Sequence, residues 1–264
     1  MIKPKRSVLI VSIALFALFF AFTVLVATAD KAAGKVPGTE IGLSHLNLAF
    51  FNATHKNGEI SQGWYKLTQF LGYLALIEAA GFAVYGVAQL IRRKSLKKID
   101  KDLFVLAATY LLLAFFYAAF EKIVINYRPV LENGEIAASY PSSHTMLTLT
   151  IAASGIFMLR GRISCKPALI SAETLSVAVM LVMVVGRALS GVHYLTDIFG
   201  GMLLSSAIVS LFVAFLPENP RNARYVKKNA EKIRASSAIK IGVTGSYGKT
   251  SVKNILATIL SEKY

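Results

Sequence analysis

Residues 186–197 read GRALSGVHYLTD, and they stand where two long apolar runs meet, one at about 170–190 and the other at about 195–216. Each run is near the ~20 residues that a helix needs to cross the hydrocarbon of a bilayer. An arginine, a histidine and an aspartate therefore lie at the junction of two predicted membrane spans. Ionisable side chains at membrane depth are energetically unfavourable, so they usually mark a functional site.

The rest of the chain has the same apolar character. Hydrophobic residues make up 55% of its 264 residues, a share that is rare in soluble domains and typical of membrane proteins. We predict six spans, of which the fourth is the shortest, at about 7–29, 65–91, 103–126, 144–159, 170–190 and 195–216. The sequence thus predicts an all-α integral membrane protein, with a six-span helical bundle in residues 1–217.

The first apolar run follows Lys3, Lys5 and Arg6 and ends in small residues at 27–29 (ATA), as a cleavable signal peptide would. Its apolar core is longer than the ~7–15 residues of a signal peptide. We therefore expect an uncleaved membrane anchor.

The net charge of +15 is concentrated in three segments, 92–101, 160–166 and 221–234, which a six-span chain places on the same side as its N-terminus. Cytoplasmic loops of membrane proteins carry an excess of Lys and Arg. We expect both termini in the cytoplasm and the protein in the plasma membrane. A topology signal explains this charge better than nucleic-acid binding does.

Residues 30–63 form a predicted outer loop. Its segment 41–51 (IGLSHLNLAFF) is too short to cross and is expected to lie at the membrane interface as a helix. His45 and His55 have no acidic or histidine neighbour at ligand spacing, so we expect both to be surface or packing residues. Cys165 falls in a predicted cytoplasmic loop, predicts no intrachain disulfide and is expected to have no functional role.

Two further polar segments share the outer face with residues 186–197. They are 122–129 (KIVINYRP), at the end of the third span, and 141–144 (PSSH), at the start of the fourth. With the N-terminus inside, the third and fifth spans end outside and the fourth and sixth begin there. Independent spans therefore deliver all three segments to one membrane face.

The side chains of these segments suit phosphate chemistry. His193 and Asp197 are four residues apart, and on a helix this spacing places them on one face. The carboxylate can accept the proton of one imidazole nitrogen and direct the other outward as a nucleophile. Arg128 and Arg187 offer planar sets of donors for phosphate oxygens.

Residues 141–144 supply the remaining groups. The backbone N–H groups of Ser142 and Ser143 at a helix start favour an anion, and His144 can protonate a leaving oxygen. No metal is required, because arginines and amides can stabilise the charge. Taken singly, such residues have ordinary interpretations: a hydrogen-bonded histidine, a snorkelling arginine or a common helix start. Their order, spacing and shared face together favour the functional interpretation.

These segments resemble the signature of the type-2 phosphatidic acid phosphatase family, which shares its fold with the vanadium haloperoxidases. The resemblance covers about residues 1–216. It implies a phosphohistidine at His193, orientation of that ring by Asp197 and protonation of the leaving group by His144. The phosphate-binding residues that it implies are Arg128, Arg187, Ser142, Ser143 and Lys122.

The sequence departs from this signature at three positions. Ser143 replaces a glycine, and Gly186 replaces a serine. The family lysine would stand seven residues before Arg128, a position that holds Glu121, whereas Lys122 is only six residues away. Six residues miss the same helix face by about a third of a turn. Lys122 reaches the phosphate only if the helix loosens before the proline that follows Arg128; otherwise Glu121 faces the anion.

After Pro217 the composition changes. Residues 218–236 predict a basic cytoplasmic linker, and 237–264 predict a short α/β fragment of strand, glycine turn and helix. Within it, 241–251 (IGVTGSYGKTS) has the pattern of a phosphate-cradling loop. It resembles the ATP loop of Mur ligases, the enzymes of peptidoglycan precursors. An isolated strand–loop–helix cannot bury a core, so we expect an incomplete domain. The resemblance implies nucleotide binding by Gly245, Gly248, Lys249 and Thr250.

The phosphatase family acts on phosphatidate, phosphatidylglycerol phosphate, isoprenyl diphosphates and related lipids. We favour undecaprenyl diphosphate, because the Mur-like segment points to the cell wall. Two alternatives stay open: a membrane-tethered Mur-ligase-like ATP-binding fragment, and a non-catalytic lipid-phosphate-binding member of the family, suggested by Glu121. The expected partners are a lipid phosphate and the bilayer, without nucleic acid or cofactor; the oligomeric state is open.

Overall fold

The computed structural model describes residues 4–55, 60–131 and 134–217. The predicted linker, 218–236, and the predicted nucleotide-binding segment, 237–264, lie outside the described residues. The elements are the helices α1 (Arg6–Thr28), α2 (Ser44–Thr54), α3 (Gln62–Arg93), α4 (Lys101–Lys122), α5 (Ser143–Arg160), α6 (Lys166–Ser190) and α7 (Leu195–Phe215), a 3₁₀ helix at Leu96–Lys98, and the two-residue antiparallel strands β1 (Ala32–Ala33) and β2 (Glu40–Ile41).

Within the described ranges, five helices are long and apolar enough to cross a membrane: α1, α3, α4, α6 and α7. The predicted fourth span is present as α5, but α5 is not one of these five, so the prediction of six spans is not confirmed. Hydroxyl side chains recur along α5, and ten of its 18 residues are buried. It packs against α3, α6 and α7. The helix is therefore an interior element of the bundle.

The predicted third span is too long at its C-terminal end. It was expected to reach residue 126, whereas α4 ends at Lys122. The chain has thus left the helix before Arg128, whose position directly before Pro129 also disfavours the helical conformation. The side chain of Asn126 turns inward and is completely buried. Residues 123–131 therefore form an irregular connection after α4.

Packing around α7 fixes the position of the N-terminus of α5. Buried residues of α1, α5 and α7, with Tyr140 before α5, form one hydrophobic cluster. Gly200 of α7 permits the close contact, since a Cβ atom there would lie 2.5 Å from the ring of Tyr140. By contrast, large apolar side chains such as Leu111, Leu181 and Val84 point away from the bundle and are well exposed. This outward apolar surface is that of a multi-pass membrane protein.

The two ends of the bundle differ. At one end the N–H of Lys5, before α1, donates to the carbonyl oxygen of Ala214 in α7 at 2.9 Å, and Arg162 binds both carboxylate oxygens of Asp102 at 3.0 and 3.1 Å. The basic segments 92–101 and 160–166 belong to this end. The opposite end holds the strand pair, α2, and the N-termini of α5 and α7. The N-terminus and the predicted site are therefore at opposite ends.

The outer segment is more embedded than the sequence suggested. The helix expected at 41–51 begins only at Ser44, and Asn47 and Phe51 of α2 are buried. His45 is exposed and pairs with Asp30 at 2.6 Å. His55 is buried and stacks on Phe51. Both histidines thus have the surface and packing positions expected of them.

Candidate active site

Five segments of the chain each contribute one side chain to one buried site. Arg187 lies in the last turn of α6, His193 in the short connection that follows, and Asp197 in the first turn of α7. Arg128 comes from the connection after α4, and His144 from the first turn of α5. Arg187, His193 and Asp197 are at most 2% exposed. The structure therefore brings these five predicted residues together from distant parts of the chain.

The contact between His193 and Asp197 passes through a third residue. His193 precedes α7 instead of lying on it, and its Nδ1 is 3.8 Å from Asp197 Oδ2. The hydroxyl group of Ser139 lies between them, 3.1 Å from His193 Nδ1 and 2.5 Å from Asp197 Oδ2. The expected direct hydrogen bond along one helix face is therefore replaced by a bridge.

The carboxylate of Asp197 has further donors. Oδ2 also accepts the backbone N–H of Tyr194 at 2.8 Å, so that Asp197 caps the start of α7. Oδ1 accepts Nδ2 of Asn126 at 3.2 Å. Three donors thus hold the carboxylate in one orientation.

A second side-chain amide, that of Asn47, extends this hydrogen-bond network to α2. Asn47 of α2 donates to Thr196 Oγ1 at 2.9 Å and accepts the backbone N–H of Thr196 at 3.1 Å. Asn126 also contacts Thr196 Oγ1, at 3.3 Å. Sequence reasoning missed Asn47, Asn126 and Ser139. The signal for the two amides was an isolated polar residue within an apolar stretch, because such residues must find buried partners.

The other ring nitrogen of His193 is available for reaction. Nε2 is buried and makes no hydrogen bond within the described residues. His193 lines a small cavity together with Arg128 and Ser143. Burial, and then the positive charges of Arg128 and Arg187, hold the pKa of His193 well below its usual range. The imidazole is therefore neutral, as a nucleophile must be.

The two arginines are held by different contacts. Nε of Arg128 donates to the carbonyl oxygen of Ala138 at 3.2 Å, and its backbone N–H donates to Ala137 at 3.1 Å. The guanidinium group of Arg187 lies over the ring of Tyr65, 5.7 Å from the ring centre. Both charges act on His193, and they also reach His144. An anion at this site would meet two guanidinium groups.

The start of α5 only partly matches the prediction. Ser142 is the residue before the helix, and its N–H donates to the carbonyl oxygen of Asp197 at 2.9 Å. This amide is therefore occupied and does not point at an anion in this structure. The N–H groups of Ser143 and His144 stand at the first helical positions, where the helix itself offers no acceptor.

Two cavities meet at this point. The small cavity, which holds Arg128 and His193, has a volume of about 10 Å³, so a phosphate requires its lining side chains to move apart. A much larger outer groove, about 550 Å³, lies between α3, α4 and α5, and His144 lines its end. Tyr117 and Ser143 line both. The polar cavity therefore adjoins a mostly apolar groove.

Two of the sequence departures have structural consequences. Glu121 lines the small cavity, whereas Lys122 is exposed at the end of α4 and is not among the lining residues. Lys122 is thus separate from the residues that line the small cavity with Arg128. Gly186 packs tightly against α3: a Cβ atom there would lie 2.6 Å from Thr68 and 3.0 Å from Trp64. A serine at this position would not fit without a shift.

Other candidate chemistry is limited. Among residues 4–55, 60–131 and 134–217, no group of three or more His, Cys, Asp or Glu side chains could hold a metal ion. Cys165 is an exposed free cysteine before α6. The predicted nucleotide-binding residues Gly245, Gly248, Lys249 and Thr250 lie outside the described part of the chain.

Comparison with known proteins agrees with this geometry. Residues 122–221 match the model of the PAP2 superfamily. The fold is similar to the crystal structure of the first transmembrane PAP2 type phosphatidylglycerolphosphate phosphatase from Bacillus subtilis, with a TM-score of 0.53 and 17% sequence identity. The match covers 85% of this chain and 98% of that chain. The search of curated proteins returned no match. Residues 122–221 are therefore similar to the PAP2 superfamily, and the fold is similar to that of a PAP2-type membrane phosphatase.

Proposed function

We propose that this protein is a membrane phosphatase that cleaves a lipid phosphate through a phosphohistidine at His193. The observation that carries the proposal is the environment of this ring. Its Nδ1 faces Ser139 and Asp197, while its Nε2 has no hydrogen bond within the described residues and lines the same cavity as Arg128. A neutral, oriented imidazole beside guanidinium groups is suited to attack on phosphorus.

The reaction has two steps. Nε2 of His193 attacks the phosphorus, the bond from phosphorus to the leaving oxygen breaks, and His144 protonates that oxygen. Water then attacks the phosphohistidine, His144 takes up a proton of the water, and inorganic phosphate leaves. Arg128 and Arg187 stabilise the charge on the phosphoryl oxygens throughout. These residues supply the charge stabilisation themselves, so we propose that no metal is needed.

The position of His144 supports a lipid substrate. It stands where the small polar cavity adjoins the outer groove. A phosphate at His193 would then have its leaving oxygen near His144 and its apolar chain in the groove. Binding sites of this kind combine an apolar surface with a few polar groups that fix orientation.

The length of the apolar surface favours a long single chain. An inner groove of about 260 Å³ continues between α3 and α4, and it shares Ala79 and Tyr110 with the outer groove. Together they follow α3 from Gln69 to Leu90, about 31 Å at 1.5 Å per residue. This is the whole hydrocarbon thickness of a bilayer, ~30 Å, whereas an ordinary fatty acyl chain fills one leaflet. We therefore propose an isoprenyl lipid, with undecaprenyl diphosphate as the first candidate.

The proposed topology follows from the two different ends of the bundle. The basic end, with the N-terminus, would face the cytoplasm, and the C-terminal segment would follow α7 on the same side. The site would then open on the extracytoplasmic face of the plasma membrane. In this arrangement α5 is a sixth, interior span that is surrounded by the other helices.

The test is phosphate release by detergent-purified protein in the presence of a chelator. Undecaprenyl diphosphate, phosphatidate and phosphatidylglycerol phosphate are compared, with His193→Ala as the inactive variant and His45→Ala, an exposed histidine of the outer segment, as the matched control. We expect the wild type and His45→Ala to release phosphate, and His193→Ala to release none. Full activity of His193→Ala would refute the mechanism, and lipid binding without turnover would favour a non-catalytic member.

A further inference from the structure

The buried hydroxyl group of Ser139 lies outside the five polar groups that the proposed mechanism uses. Ser139 is 2% exposed and stands three residues before Ser142, in the connection between α4 and α5. We infer that Ser139 is a positioning residue that links His193 to Asp197 and fixes which ring nitrogen of His193 carries the proton. This inference rests on the proposed function.

Counting hydrogens gives the direction of each bond. An ionised carboxylate can only accept, so the single hydroxyl hydrogen of Ser139 goes to Asp197 Oδ2, at 2.5 Å. Ser139 Oγ can then only accept from His193 Nδ1, at 3.1 Å. The proton is therefore on Nδ1, and Nε2 carries the lone pair that attacks phosphorus.

The direct alternative does not fit the distances. His193 Nδ1 and Asp197 Oδ2 are 3.8 Å apart, which is too long for a hydrogen bond. Without the hydroxyl group, Nδ1 in its present position would have no acceptor among the residues that the structure describes. When the ring becomes a positively charged phosphoimidazolium, Ser139 is the hydrogen-bonded link between Nδ1 and the carboxylate.

Backbone contacts keep this hydroxyl group in place. The N–H of Ser139 donates to the carbonyl oxygen of Asn126 at 2.9 Å. The residue before it, Ala138, forms an isolated antiparallel bridge with Tyr127. Asn126 in turn donates to Asp197 Oδ1 at 3.2 Å. Ser139, Asn126 and Asp197 thus form one connected unit, which places the hydroxyl group of Ser139 beside His193 and Asp197.

The kinetic test is a double-mutant cycle. We expect Ser139→Ala to lower kcat about a hundredfold, as the loss of an orienting partner does at other sites, with little change in KM. In the Asp197→Asn background the same change should lower kcat by at most about twofold further, because the relay is already broken. Ser206→Ala, an exposed serine on α7 that bonds only the backbone of its own helix, is the matched control.

The tautomer is read independently of turnover. In protein labelled with ¹⁵N only at histidine, NMR signals of His193 are identified by their loss in His193→Gln. We expect a ring protonated on Nδ1 in the wild type and a mixture of tautomers in Ser139→Ala. This NMR measurement does not depend on turnover. The proposed function is tested separately, and it fails if the wild type does not release phosphate from any of the lipids.

Three results would overturn the inference. They are a wild-type ring protonated on Nε2, an unchanged single tautomer in Ser139→Ala, and effects of Ser139→Ala and Asp197→Asn on kcat that multiply. The last result would mean that Ser139 and Asp197 act on His193 separately.

Discussion

Replacing Asp197 with asparagine removes the charge of this side chain and keeps its shape. Both carboxylate oxygens are in use: Oδ2 accepts Ser139 Oγ at 2.5 Å and the Tyr194 N–H at 2.8 Å, and Oδ1 accepts Asn126 Nδ2 at 3.2 Å. An asparagine has one acceptor oxygen. If that oxygen takes the position of Oδ2, its NH₂ group opposes the NH₂ group of Asn126.

The surrounding structure prevents an easy repair. Asn126 cannot turn its amide, because its Oδ1 accepts the N–H of Gly42 at 2.9 Å. A buried donor left without an acceptor costs about 1–3 kcal/mol, and the lost negative charge in the first turn of α7 removes about 0.3–1 kcal/mol of helix-dipole stabilisation. We expect Asp197→Asn to lower the free energy of unfolding by about 1–4 kcal/mol.

The effect on turnover is larger than the effect on stability. The carboxylate is the counter-charge for the phosphorylated ring, and it fixes the tautomer through Ser139. The same change of a buried aspartate to asparagine in a Ser–His–Asp protease lowers kcat about 10⁴-fold. We expect a loss of about 10³- to 10⁴-fold here, equivalent to about 4–5.5 kcal/mol of activation free energy.

The assay measures phosphate release and thermal unfolding on the same detergent-purified samples. Asp102→Asn is the matched control, since Asp102 pairs with Arg162 at the opposite end of the bundle. It should lower stability and leave kcat of the folded protein unchanged. A kcat for Asp197→Asn within tenfold of the wild type would refute the reasoning.

Four further predictions concern single features of the site. Arg128→Ala should lower kcat/KM by about 10²- to 10³-fold, whereas Lys122→Ala, an exposed residue outside the cavity, should change kcat/KM by less than about twofold; equal losses would return Lys122 to the site. Glu121→Lys should lower KM for a lipid phosphate, because it replaces a carboxylate that lines the cavity; a higher KM would mean that Glu121 contacts the substrate favourably. The ring of His193 should stay neutral between pH 7 and about pH 5.5, because burial and the charges of Arg128 and Arg187 lower its pKa below the usual value of about 6.5; ¹⁵N NMR of the histidine ring measures this, and a titration of His193 with a midpoint near 6.5 would contradict it. Asn47→Ala should lower the free energy of unfolding by about 1–3 kcal/mol, measured by thermal unfolding, since it leaves the Thr196 N–H without its acceptor; no change would mean that water replaces the amide.

The helices were predictable because apolar runs of membrane length have few alternatives. The predicted spans match α1, α3, α4, α6 and α7 to within about four residues at each end. The count of six was less certain, because α5 has a short, hydroxyl-rich sequence. Neighbouring helices bury α5, and the local sequence does not show this packing.

The candidate site was partly predictable. His193, Asp197 and Arg187 stand at fixed spacings within one segment, so a sequence pattern can identify them. Ser139 and Asn47 have no such partner nearby: Asn47 meets Thr196 across 149 residues of chain. Their contacts arise only when the outer segment and the connection before α5 fold onto the start of α7.

Glu121, and not Lys122, lines the cavity. This position shows how far helical spacing alone can predict a site residue. Helical spacing identified Glu121 as the residue on the face of Arg128, and the structure has Glu121 at the cavity. Whether the chain would unwind enough to bring Lys122 inward depended on where α4 ends. α4 ends at Lys122, and the chain beyond it makes tertiary contacts, such as those of the buried Asn126, that the local sequence does not contain.

The most direct measurement is the identity of the phosphorylated residue during turnover. The protein is mixed with an excess of lipid phosphate, quenched under alkaline conditions that preserve phosphohistidine, digested and analysed by mass spectrometry. We predict a phosphoryl group on His193 in the wild type and none in His193→Gln, which should also release no phosphate. Turnover with the phosphoryl group on another residue, or steady phosphate release by His193→Gln, would contradict a histidine nucleophile at this site.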